Sequence, residues 1–367
     1  MARAGAFAFV LLFFTLLPSR AAELDLEATK VRFLKGEYKE VIDEANAALK
    51  ARMRNEDWHL LLAHSLWMTG KYTEAKDAIA TAERANYYSV RTRLLGYHIN
   101  RSAGDLENAQ RMLDEINALG GSRRWGFREA VDVVALGQAA VILGADPKLV
   151  LDNFYNPIKK SDPNLREVHL AIGDLALAKH DYALAGKSFQ EGIKKFPKDP
   201  DLLHGMAEAL APSDRKEMLR VLEKVFENNE SHIAARILVV EHLVDAEEYE
   251  DAETELKKIE AVNPHRPEMW AFRAVMAHLR NDSSAEQSAR TAGLSSSLMK
   301  RRKDAEPPTT GAIFLSSGLV VGPVMSRRRA VFSIPTRMKG RIVPLPTDTW
   351  TIPATWMKSS WMPPSGM

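Results

Sequence analysis

Gly70-Lys71-Tyr72-Thr73-Glu74-Ala75 is the stretch on which the fold of this chain turns. A glycine, an aromatic two places on and an alanine three places after that read as a tight turn followed at once by a helix. The pattern recurs upstream at Gly36-Glu37-Tyr38 and downstream at Gly104-Asp105-Leu106-Glu107-Asn108-Ala109, so three glycines stand 34 residues apart. Looser copies follow at His180-Asp181-Tyr182-Ala183-Leu184-Ala185 and Glu247-Glu248-Tyr249-Glu250-Asp251-Ala252. Pro197 and Pro264 each close a unit, and the 67 residues between them leave room for one more. A fixed period of this length marks a repeat architecture.

Around each turn the apolar residues recur at helical spacing. The unit near 56–89 has Leu62-Ala63, Leu66, Ala75, Ile79 and Ala82. The unit near 166–199 has Ile172-Gly173, Ala176, Tyr182, Ala185, Phe189 and Gly192, and that near 233–266 has Val239, Leu243, Ala252, Leu256 and Ile259. Between them, 200–232 shows Leu203, Met206-Ala207, Leu210, Leu219 and Phe226, while 267–299 starts with Trp270, Ala274 and Ala277 and then weakens. Small residues let two helices cross closely, an aromatic after the turn packs into the next unit, and proline stops the second helix. One such pair cannot bury its own apolar stripe, so neighbours must stack. These motifs resemble the tetratricopeptide (TPR) repeat. The expected fold is all-α, an α-solenoid of about eight TPR-like helix–turn–helix units over 22–299, irregular around 120–165. Residues 22–55 carry a poor first helix. Residues 128–156 read as a helical pair, Glu129–Leu143 and Pro147–Tyr155, and Asn156-Pro157 to Asp162-Pro163 as loop.

The flanks are of different character. Residues 1–21 carry a basic start, the apolar run Ala4–Leu17 and a small-residue cleavage site before Ala22, the pattern of a secretory signal. The run is short for a membrane span. The expectation is an exported chain, periplasmic or extracellular, with an uncleaved N-terminal membrane anchor as the alternative. From Lys300 to Met367 there are 11 basic and 3 acidic residues, net +8, which leaves 39 basic and 45 acidic residues in 1–299, net −6. The overall net charge of +2 is therefore a cancellation. The tail holds 9 of the 18 prolines and no useful helical or strand period. It reads as a largely disordered basic extension, a small β element, or an out-of-frame or truncated product.

Zero cysteines exclude a disulfide scaffold, a thiolate metal site and a cysteine nucleophile. No His-Glu-x-x-His, phosphate-binding loop, nucleophile elbow, dinucleotide fingerprint or calcium loop is present. His64 and His98 stand 34 apart, on equivalent helix positions, without an evident third metal ligand. No catalytic, cofactor-binding or metal-ligating residue is therefore assigned. Tyr87-Tyr88 and Trp125 are assigned to core or inter-unit packing.

The TPR resemblance implies a concave groove lined by the first helix of each unit. Carried onto this sequence, it places His64, Trp67, Arg91, His98 and Arg101 in the early units. In the later units it places Glu167, Asp174, Asp201, Glu208, Glu241 and Glu268. An acidic stripe suits a basic or amine-bearing partner, although any exposed helix face carries charge for solubility. The expected function is an exported scaffold that binds a protein or peptide in this groove, without nucleic acid, cofactor or catalysis. The alternatives are the repeat-bearing part of an exported zinc peptidase of the gluzincin kind whose catalytic domain is absent, and a membrane-tethered assembly factor. The lysine–asparagine clamp of chaperone-binding TPRs is not visible, and the oligomeric state is not written in the sequence.

Overall fold

The computed structural model describes residues 24–120 and 129–297. The N-terminal signal pattern, Trp125 and the basic tail lie outside the described residues. Within them the chain forms seventeen α-helices and one π-helical turn, and no strand. Seven helix pairs follow the predicted period: α1 Leu26–Leu34 with α2 Tyr38–Lys50, α3 Glu56–Met68 with α4 Tyr72–Ala85, and α5 Val90–Ser102 with α6 Leu106–Gly120. After an irregular middle come α10 Arg166–Ala178 with α11 Tyr182–Ile193, and α12 Pro200–Leu210 with α13 Arg215–Asn228. The last two pairs are α14 Ile233–Asp245 with α15 Tyr249–Val262, and α16 Pro267–Leu279 with α17 Ser283–Ser297.

The middle comprises α7 Ala130–Ile142, α8 Pro147–Val150, a π turn Leu151–Tyr155 and α9 Asn156–Ser161. It differs from expectation in two ways. The second helix contains a π turn at Leu151–Tyr155, and it runs on through Asn156–Ser161, which is helical rather than loop. Pro157 follows directly on the π turn, at the first turn of α9, so the helix accommodates a residue without an N–H there. Tyr155 is buried against α7, where a side chain at Gly137 would run into its ring.

The turn that defines the repeat is a left-handed helix stop. Gly36, Gly70 and Gly104 have φ of 80°, 74° and 74°. Each turn is closed by the same six-residue backbone bond: Glu37 N to Arg32 O, Lys71 N to Leu66 O, Asp105 N to Asn100 O. Three later turns make this bond with His180, Glu247 and Asn281 at φ of 58°, 63° and 58°. A non-glycine there costs about 1 kcal/mol or more, so packing of the flanking helices sets the geometry and glycine only relieves it.

Packing follows the small-residue logic. Ala45, Ala63, Ala75 and Ala82 are fully buried at helix crossings. The ring of Phe189, on α11, is clamped between Gly173 on α10 and Gly205 on α12, since a Cβ at either glycine would overlap it. Phe189 thus joins two successive units as a wedge. Tyr87 and Tyr88 are not core residues, and Tyr87 instead makes a contact between units. They are 65% and 45% exposed, stacked edge-to-face on each other with Arg93 over the Tyr87 ring.

Unlike an open spiral, the array closes on itself laterally. The turn at Gly70 meets Asn263, between α15 and α16. Asn263 Nδ2 lies 3.3 Å from the Tyr72 hydroxyl and 3.5 Å from the Trp67 carbonyl oxygen. The turn at Gly36 meets Asn229 and Ser231, between α13 and α14, and the Asn229 side chain lies beside the Tyr38 hydroxyl. Met68, at the end of α3, packs on the α14–α16 core around Ile233, Val240 and Met269.

Candidate functional site: the inner channel

Lateral closure brings the two sides of the inner groove to face each other, and the space between them is termed the inner channel. One wall comes from α1, α3 and α5. Here Phe33, His64, Trp67 and His98 stack in series, with ring centroids 4.6, 5.4 and 6.2 Å apart. The 34-residue period makes this ladder: His64 and His98 take the same position in successive units, and Trp67 lies one helical turn beyond His64.

The other wall comes from α10, α12 and α14. Asp201 is its hub. Its Oδ1 lies 3.1 Å from His232 Nε2, and its other oxygen pairs with the Arg166 guanidinium, which also grips Asp199. Asp199 in turn caps α12, accepting from the Asp201 and Leu202 amides at 3.0 and 3.1 Å. The His204 ring lies 5.2 Å from His232 and its Nδ1 is 3.6 Å from Glu208. Asp174, Glu208 and Glu241 extend the stripe on successive first helices.

The walls feel each other. Burial pushes His64 down to about 4, with Asp201 opposing, and His98 and Arg166 adding to the shift. Burial and the nearby Arg101 charge take His98 down to about 4 as well. Burial also raises Asp174 to about 7, helped by the Glu208 and Asp201 charges and opposed by Arg166. Glu241 is raised to about 7 by burial and by Glu208 and Asp245. Both carboxylates keep an open solvent face, so the enclosing protein around the channel does this, not direct occlusion. Burial by itself would raise Asp201 too, but His232 and Arg166 hold its carboxyl far below the usual range. The channel therefore carries one fully compensated carboxylate and two strained ones.

The other predicted groove residues make ion pairs and ring contacts of their own. Arg91 is tied up with Glu56 at 2.7 Å, Asp57 at 2.8 Å and Asp132 at 3.5 Å, an inter-unit staple. Arg101 lies over Tyr97 and donates to its hydroxyl at 2.6 Å. Glu268 pairs with Arg266 at 2.9 Å, next to the Tyr72–Asn263 contact. Glu167 lies beside Arg166. Sequence reasoning missed Arg166, His204, His232, Phe33, Asn229 and Asn263. The asparagines carried a usable signal, because they stand 34 apart like the glycines they meet. Among the described residues no group of three or more side chains is placed to hold a metal ion, and no helix is long and apolar enough to cross a membrane.

No family model and no curated protein matches the chain. Solved structures do. A tetratricopeptide repeat protein from Parabacteroides merdae is 16% identical over 73% of this chain and 97% of its own, with a TM-score of 0.42. The Cut9-Hcn1 hetero-tetramer of the APC/C is 13% identical over 75% of this chain and 53% of its own, with a TM-score of 0.50. YrrB, a TPR protein with an unusual peptide-binding site, is 16% identical over 52% of this chain and 95% of its own, with a TM-score of 0.28. The Cut9 likeness concerns fold alone. It agrees with the 34-residue period, the repeated left-handed turn and the paired helices. The chain is an all-helical repeat protein with the tetratricopeptide-type solenoid fold.

Proposed function

We propose that the chain is a protein-interaction scaffold, without catalysis of its own, that takes an extended peptide bearing arginine or lysine into its inner channel. The observation that carries this reading is the pairing of the two walls. A ladder of aromatic and neutral imidazole rings faces a stripe of carboxylates, two of which are raised toward neutrality by burial and by neighbouring carboxylates. A guanidinium or ammonium group suits both walls. It stacks on Trp67 by cation–π attraction and compensates Asp174 and Glu241. The sequence pattern of residues 1–21 supports delivery outside the cytoplasm, and a mature N-terminus at Ala22 is the outcome expected from sequencing the exported product.

Fluorescence anisotropy with short labelled peptides, one arginine-rich and one glutamate-rich of equal length, tests the channel. The arginine-rich peptide is expected to bind, more weakly as salt is raised. The double variant Asp174→Asn/Glu241→Gln is expected to weaken it about tenfold, the size of one charge-assisted contact. Equal binding of the two peptides, or unchanged binding by the double variant, refutes the reading.

A further inference from the structure

We propose that Gly36–Asn229 and Gly70–Asn263 are the two rungs of a clasp that holds the array shut and controls access to the inner channel. Four observations support it. First, the rungs are in register: the glycines are 34 apart, the asparagines are 34 apart, and each pair is separated by 193 residues. Two contacts that share one offset arise when one repeat array lies alongside another stretch of itself, rather than from a chance touch.

Second, both asparagines are buried, at 3% and 0% exposure, in loops of a kind that otherwise face water. Asn263 is satisfied on both sides, its Oδ1 accepting from the His265 amide at 3.0 Å and its Nδ2 reaching Tyr72. Third, glycine is needed at both turns for more than backbone freedom. A Cβ at Gly36 would strike Asn229 Oδ1, and one at Gly70 would strike Asn263 Oδ1. Fourth, the turns supply their own contrast. Tyr38 and Tyr72, which open the helices after the first two turns, are 5% and 2% exposed, whereas Leu106 in the same place after the third is 58% exposed.

The clasp is narrow. Beside the two rungs, Met68 packs on the α14–α16 core. The units on either side are joined within themselves by continuous apolar packing. Loss of the rungs therefore lets the ends part while the units stay folded, as expected of a structure whose repeats contact mainly their neighbours.

Because the chain has no cysteine, two can be introduced without background. Donor and acceptor dyes on Lys35→Cys and Glu227→Cys, both exposed positions flanking the first rung, report clasp opening by single-molecule energy transfer on the full chain. One high-transfer population is expected. Adding Asn229→Ala and Asn263→Ala is expected to deplete it in favour of lower transfer, with the far-UV helical signal retained. Should that variant lose its helicity, Tyr38→Phe/Tyr72→Phe, which removes only two hydroxyls, is expected to give the same shift in smaller measure. Low transfer in the parent chain, or transfer unchanged in the variants, overturns the clasp. The gating role rests on the peptide-channel reading and has a separate readout. In the opened variant the arginine-rich peptide is expected to associate faster, several-fold. An opened clasp with an unchanged association rate refutes gating while leaving the clasp in place, and a parent chain that binds no such peptide refutes the channel reading alone.

Discussion

Replacing Gly70 by alanine separates the clasp from ordinary turn strain, because the fold contains its own control. Gly70 and Gly144 both hold positive φ, 74° and 88°, so alanine at either site carries a similar backbone penalty of about 1–2 kcal/mol. Around Gly144 a Cβ meets nothing within 4 Å. At Gly70 it would meet the Asn263 amide, with Cγ at 3.0 Å and Oδ1 closer still. Asn263 must then move off Tyr72, leaving buried polar groups without partners at about 1–3 kcal/mol. Gly70→Ala is thus expected to cost roughly 2–5 kcal/mol against about 1–2 kcal/mol for Gly144→Ala. Urea unfolding followed by circular dichroism measures both, compared through the loss of α3–α4 and α14–α16 signal in a tryptophan-fluorescence trace. The sharper form is a double-mutant cycle. In an Asn263→Ala background the excess cost of Gly70→Ala should vanish, leaving the Gly144 value. Equal costs at the two glycines, or an excess that survives removal of Asn263, would refute the lateral contact as a source of stability.

Further expectations follow from the same geometry. Gly205→Ala should overpack the Phe189 wedge and lower stability by about 1–3 kcal/mol, read from the denaturation midpoint; a neutral result means the ring is not clamped. Ala75→Leu, at a fully buried helix crossing, should cost a similar ~1–3 kcal/mol. Asp174 is raised to about 7 in the fold by burial and by Glu208 and Asp201. Its folded form therefore binds a proton that the unfolded chain has released, and its contribution to stability falls as pH rises from about 4 to about 7. Asp174→Asn should thus stabilise the protein above pH 7, by about 1 kcal/mol once its open solvent side is discounted, and make little difference near pH 4. A stabilisation that is the same at both pH values would show that the charge of Asp174 is not the cause.

Much of the fold was legible because the repeat writes local physics at a fixed interval. Gly36, Gly70 and Gly104 announced the left-handed turn, and Ala75, Ala82 and Ala185 the helix crossings. The period also grouped His64, Trp67 and His98 in the early units and Asp174, Asp201, Glu208 and Glu241 in the later ones, since a residue's face on a helix follows from its place in the period. Three things were not legible. His180, Glu247 and Asn281 adopt positive φ against their own preference, because flanking packing outweighs a penalty of about 1 kcal/mol. The π turn at Leu151–Tyr155 depends on how Tyr155 fits over Gly137, a tertiary match without local pattern. Lateral closure was hidden for a different reason. The pitch of a solenoid sums small rotations over every unit, irregular middle included, and no single segment records that sum. For the same reason the aromatic and acidic groups looked like separate properties of early and late units, when they are opposite walls of one channel.

Closure of the array around that channel is most directly tested by the titration of His64. An open groove would leave its imidazole in water, close to the ordinary value near 6.5. With the charges of Arg166 and Asp201 on the facing wall acting on it and His98 beside it, burial takes it down to about 4. Histidine side-chain NMR over pH 3.5–8, with His64→Gln to assign the resonance, gives the answer in one experiment. The closed channel predicts an imidazole that stays neutral through pH 6 and titrates near 4; a midpoint near 6.5 would mean that the two walls do not face each other.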